Sequence, residues 1–65
     1  MYQRIRDMRE DSDMSQTEIA AKLNCSQQIY SNYELGRHTI PPDILTALAI
    51  IHKTSIGYLL GLTNV

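Results

Sequence analysis

Sixty-five residues, 43% of them apolar, with a formal net charge of −1, describe one small globular domain over residues 1–65 and exclude a disordered chain. A chain this short buries only about 60% of the surface its unfolded form exposes, so its stability is marginal. Cys25 is the lone cysteine, which excludes an internal disulfide; no Cys/His spacing suits zinc, the N-terminus is charged, and no apolar run nears the ~20 residues that cross a bilayer. The expectation is an all-α protein of the reducing cytoplasm, with no membrane segment, metal or cofactor.

The first predicted helix covers residues 2–11, with Ile5 and Met8 inward; Arg4 and Arg6 are taken as its solvated face rather than as DNA contacts. After it comes a turn at Ser12-Asp13-Met14, where Asp13 is expected to be left-handed. Ser15-Gln16-Thr17-Glu18 is a capping box, each end of which satisfies an amide of the other. It opens a second helix through residue 23, with Ile19, Ala20 and Leu23 on one face.

Asn24 is placed as a left-handed helix end and Ser26 as the cap of a third helix. At 100° per residue, Tyr30 and Tyr33 point inward. Gln28, Ser31, Asn32 and Leu35 point outward, with Gln27 on the flank, and Gly36 ends the helix. Uncharged amides on one helical face suit base edges in the DNA major groove, where Asn and Gln pair with adenine. Charge distribution agrees with this reading. Four of the seven acids (Asp7, Glu10, Asp11, Asp13) crowd one stretch, and none lies within residues 22–33.

A loop over residues 37–40 leads to Pro42, well suited to a first helical position, with Asp43 complementing the dipole. The fourth helix ends near His52 and buries Ile44, Leu45, Leu48, Ala49 and Ile51, leaving Ile50 outside. Ser55 caps a last short helix through Tyr58, Leu59 and Leu60, ended by Gly61. His52 is expected to be partly buried and hydrogen-bonded rather than a metal ligand. Cys25 is expected to fill a turn rather than act as a redox sensor.

In this order and spacing, Arg9, Ser15-Gln16-x-Glu18-Ile19-Ala20, Ser26, Tyr33-Glu34-x-Gly36-Arg37, Pro41, Leu48-Ala49, Ser55 and Tyr58-Leu59-Leu60-Gly61 resemble the phage-repressor and Cro-type helix-turn-helix family. The match runs without gaps over residues 4–61. The resemblance implies a compact five-helix domain whose third helix enters the major groove while the start of the second rests on the DNA backbone. Carried over residue by residue, it implies base-edge contacts from Gln27, Gln28 and Asn32, to which the outward face adds Ser31. The expected phosphate contacts are Ser15, Gln16, Ser26, Arg37, His38 and Thr39. An ion pair between Arg9 and Glu34 is also implied.

Ile50, Ile56, Leu62 and Val65 are left over as apolar residues near the C-terminal end. Since C-terminal elements often form the dimer contact in this family, they are the candidate interface of a homodimer on a palindromic double-stranded operator. The expected function is a sequence-specific transcriptional regulator, a repressor. A second reading is a protein-interaction module, antitoxin- or anti-repressor-like, that keeps the fold with little DNA affinity; the few basic residues and Leu35 motivate it. No nucleophile–base–orienter set or phosphate-cradling glycine loop can be assembled, so no enzyme is expected.

Overall fold

The computed structural model describes residues 2–62. Those residues form five α-helices: α1 (Gln3–Asp11), α2 (Gln16–Lys22), α3 (Gln27–Leu35), α4 (Pro42–His52) and α5 (Ile56–Leu59). Three begin on a serine cap. The Ser15 Oγ accepts from the Glu18 amide at 3.1 Å while the Ser15 amide donates to Glu18 Oε1 at 3.0 Å. Ser26 accepts from the Ile29 amide and Ser55 from the Tyr58 amide. The bond from the Ser15 backbone holds the Glu18 carboxyl below the usual carboxylate range. Helix α4 starts instead with Pro42 at a position whose N–H would have no partner.

The helix ends share one device. Asp13, Asn24, Gly36, Lys53 and Gly61 all have φ between 54° and 76°. In each case the left-handed residue donates its amide to the carbonyl three positions back, and the next residue donates to the carbonyl five back. The pairs are Asp13 to Glu10 with Met14 to Arg9, and Asn24 to Ala21 with Cys25 to Ala20. They continue with Gly36 to Tyr33 and Arg37 to Asn32, Lys53 to Ile50 and Thr54 to Ala49, and Gly61 to Tyr58 and Leu62 to Gly57. This Schellman pattern satisfies carbonyls that a helix end would otherwise leave open. It also turns the chain sharply enough for short helices to pack on one another.

The core is built by Ile5, Ile19, Ala20, Leu23, Tyr30, Tyr33, Ile40, Leu48 and Leu59. Each fully buried Ile or Leu contributes about 1.5–3 kcal/mol. Helix α2 packs on α3, α1 on both α3 and α5, and α4 on α5. The small Ala20 is buried within this assembly. Leu48 carries the centre of α4, while Ile44, Leu45, Ala49 and Ile51 are half-buried against it.

Two expectations are corrected. Arg4 is not a solvated residue of α1. Its guanidinium lies 4.5 Å from the Tyr58 ring centroid and donates to the Tyr58 carbonyl at 3.2 Å, tying α1 to α5. A guanidinium is weakly hydrated and stacks well on an aromatic face, so the contact outcompetes solvent. Arg6 does stay on the surface, in an ion pair with Glu10 at 3.3 Å. His52 is buried as expected, but neither ring nitrogen has a hydrogen-bond partner among the described residues. It continues the inward stripe of Leu45 and Leu48 along α4, which carries the imidazole into the buried side of the helix.

Candidate nucleic-acid interface

Helix α3 has a sharply divided surface. Tyr30 and Tyr33 are buried on one side with Glu34. Gln27 and Gln28 are exposed and Ser31 and Asn32 half-exposed on the other. Ile29 lies to one side of this polar strip and Leu35 continues it at the C-terminal end of α3; both are exposed. The Ser26 hydroxyl accepts from α3 and the Ser15 hydroxyl from α2, so each keeps its own O–H to donate outward. Arg37, His38 and Thr39 lie exposed in the loop that leaves α3.

Beneath the strip runs a chain of polar contacts. Arg9 Nε donates to Glu34 Oε2 at 2.7 Å, and Arg9 Nη2 reaches Oε1 at 3.4 Å. Arg9 Nη1 donates to the Met14 carbonyl at 2.9 Å. Gln16 Nε2 donates to Glu34 Oε1 at 3.2 Å, and Gln27 Nε2 donates to Gln16 Oε1. Four side chains from α1, α2 and α3 are thus joined in series from the interior to the surface. The connection from Gln16 to both Glu34 and Gln27 is absent from the sequence reading. These residues are 18 and 11 positions apart, and nothing in linear spacing marks them as neighbours.

Burial works to raise the Glu34 carboxyl, but the donors from Arg9 and Gln16, with the Tyr30 hydroxyl nearby, outweigh it and hold the group below the carboxylate range. The Tyr30 phenol is pushed strongly upward, first by burial and then by the adjacent carboxylate. Its hydroxyl makes no well-formed hydrogen bond. At neutral pH the centre therefore holds one ionised carboxylate, one guanidinium and a neutral phenol. Burial also pushes the Cys25 thiol up, which disfavours the reactive thiolate and suits a turn-filling role.

In α4, α5 and the segment beyond, Ile50 is 71% and Leu62 79% exposed, with Ile56 less so. Val65, the fourth residue assigned to this patch, lies outside the described residues. Among the described residues no helix is long and apolar enough to cross a membrane.

Two short capped helices, joined by a tight left-handed turn and pinned together at a buried charge, define a helix-turn-helix unit. The helix-turn-helix family profile matches residues 5–59, and the chain belongs to that family. It is 34% identical over 65 residues to YobD of Bacillus subtilis (strain 168), described as an uncharacterized HTH-type transcriptional regulator. The alignment covers 98% of this chain and 58% of the relative, so the chain spans little more than half the relative's length. No solved structure matches the chain.

Proposed function

We propose that the chain is a sequence-specific double-stranded DNA-binding transcriptional regulator, acting in the cytoplasm as a repressor by occupying an operator. The observation that carries this reading is the amide face of α3, exposed directly opposite two buried tyrosines and free of acidic side chains. Gln27, Gln28, Ser31 and Asn32 are its base-reading residues. Ser15, Gln16, Ser26, Arg37, His38 and Thr39, none of them buried, supply the phosphate contacts from hydroxyl, amide and cationic donors. The unit binds rather than catalyses.

A homodimer gives such a small reader a second half-site. The exposed Ile50, Ile56 and Leu62 supply its contact, and the operator is a palindrome with half-sites about one DNA turn (~34 Å) apart. Footprinting on the DNA upstream of its own gene tests the proposal: protection of a two-fold symmetric site supports it. Sedimentation showing only monomer up to high concentration removes the dimer. The second reading, a protein-interaction module with little DNA affinity, draws on exposed Ile29 beside the polar strip and Leu35 at its end. No protection even at low salt favours it, because low salt maximises phosphate-driven binding.

A further inference from the structure

Gln28, Ser31, Asn32 and Leu35 stand at positions i, i+3, i+4 and i+7 of α3, so they form one stripe along the helix. Seven residues make nearly two full turns, which leaves Leu35 about 20° from Gln28 around the axis and about 10 Å further along it. Ile29 points about 100° away from Gln28 and lies off this stripe. Gln28, Ser31 and Asn32 each carry a donor and an acceptor. Leu35 carries neither; it is 42% exposed and lies outside the core. The left-handed Gly36 then turns the chain, and Arg37 donates back to the Asn32 carbonyl. The strip of candidate base-reading residues thus ends on an apolar side chain, one helical turn beyond Ser31 and Asn32.

In the major groove the base edges present donors, acceptors and one apolar group, the C5-methyl of thymine. A leucine held against a phosphate or a base nitrogen strips water from a polar group and returns no hydrogen bond. Against a methyl, both surfaces leave water together, which is favourable. We propose that Leu35 reads the 5-methyl group of a pyrimidine, about three base pairs along the groove from the pair read by Gln28. The recognised chemistry is the methyl and not the base that carries it. Thymine always bears that group, and cytosine bears it only when methylated at C5. Leu35 therefore sets a thymine preference at that pair, and where the pair is C·G it makes binding respond to cytosine methylation. The inference rests on the reading of the α3 strip as the base-contacting face.

The test takes the duplex that the full chain prefers, selected from random DNA, and replaces each thymine in turn with deoxyuridine. That change removes one methyl and leaves the pairing and the O4 acceptor in place. Affinities are measured for the parent protein, Leu35→Ala and Gln28→Ala. For the parent, removing the methyl of one thymine is expected to weaken binding about fourfold, the worth of one buried methyl group. That thymine lies about three base pairs from the position whose preference Gln28→Ala relaxes. Leu35→Ala is expected to bind the thymine and uracil duplexes equally. A second arm puts C·G at that pair. There 5-methylcytosine is expected to bind the parent about fourfold more tightly than cytosine, and Leu35→Ala no more tightly. Alanine is the strongest helix former and the position is exposed, so the variant folds.

If the uracil penalty is as large in Leu35→Ala as in the parent, another side chain meets that methyl and the proposal falls, while base reading by α3 stands. Equal weakening of the thymine and uracil duplexes by Leu35→Ala gives that same result, and marks a backbone contact or a packing role. The proposal falls likewise if no thymine in the duplex is sensitive to loss of its methyl. If the thymine arm succeeds and the 5-methylcytosine arm does not, Leu35 reads thymine alone and recognition of the methyl on either base is overturned. If no duplex is selected and Gln28→Ala relaxes no preference, the base-contacting role of α3 is itself wrong and this inference goes with it.

Discussion

Arg9 and Glu34, 25 positions apart, meet at 2.7 Å with side chains only 12% and 3% exposed. The pair is a junction between elements. Arg9 also holds the Met14 carbonyl in the α1–α2 turn, and the backbone carbonyl of Glu34 accepts from the Tyr2 amide at 2.9 Å. Three helices and one turn are thereby referred to a single charged centre beside the polar face of α3.

Removing one partner of that pair is expected to be severe. Glu34→Ala leaves a guanidinium buried without its counter-charge, a cost of about 3–5 kcal/mol. A domain of this length has a total stability of roughly 3–10 kcal/mol, so the variant is largely unfolded or nearly so at 25 °C. Replacing both charges together, Arg9→Met with Glu34→Leu, is expected to recover much of the loss, because no uncompensated charge remains. Urea denaturation of the two variants checks this; equal destabilisation of both would mean that the cost lies in shape and not in charge.

His52 sets the acid side of the stability profile. Burial holds its imidazole below the ordinary value of 6.5, so the unfolded chain takes up the proton more readily than the folded one. Its contribution is whole above pH 6.5 and is lost as pH falls from there through the lower native value. Glu34 has the same sign in a lower window: its contribution is whole above about pH 4.5 and is lost as pH falls through its depressed native value. Denaturation midpoints measured from pH 8 to pH 4 are expected to fall in the His52 window for the parent protein and stay flat there for His52→Leu. The leucine variant is also expected to gain about 1–3 kcal/mol at neutral pH, since it removes two buried nitrogens that have no partner.

Lys53 is exposed and left-handed, with φ of 54°. A side chain with a Cβ pays roughly 1–2 kcal/mol for that conformation, and glycine avoids it at the expense of greater freedom in the unfolded chain. Lys53→Gly is therefore expected to stabilise the protein by about 0.5–1 kcal/mol. Lys53→Val is expected to destabilise it, because a β-branched residue is least tolerant of positive φ. Thermal melts of the two variants should move in opposite directions.

Lys53 also shows where the sequence stops being informative. Asp13, Asn24, Gly36 and Gly61 are residue types that accept positive φ, and each was legible as a helix end. Lysine carries no such signal, and its conformation follows from Lys53 and Thr54 donating back to Ile50 and Ala49. Serine caps and apolar periodicity located the helices for a similar reason: both act over three or four residues of one segment. Ile40 sits in a loop, where no period marks it, yet it is in the core. Arg4 on Tyr58, and Gln16 between Glu34 and Gln27, are meetings of distant segments that only the packed structure brings together.

The candidate DNA contacts divide by what each can distinguish. Gln28 is an exposed amide on the outer side of α3, with a donor and an acceptor on one planar group. Gln28→Ala is expected to cost about 1–3 kcal/mol on the preferred duplex and to relax choice at one base pair. Arg37 is a cation in the exposed loop beyond Gly36, and a phosphate contact there carries no sequence information. Arg37→Ala is expected to weaken binding to all duplexes alike and to lower the slope of log K against log salt by about 1 per subunit. Fluorescence anisotropy on matched and mismatched duplexes at several salt concentrations separates the two effects. If Gln28→Ala instead weakens every duplex equally, its amide lies on the backbone, and α3 sits turned in the groove away from the face drawn by Gln28, Ser31 and Asn32.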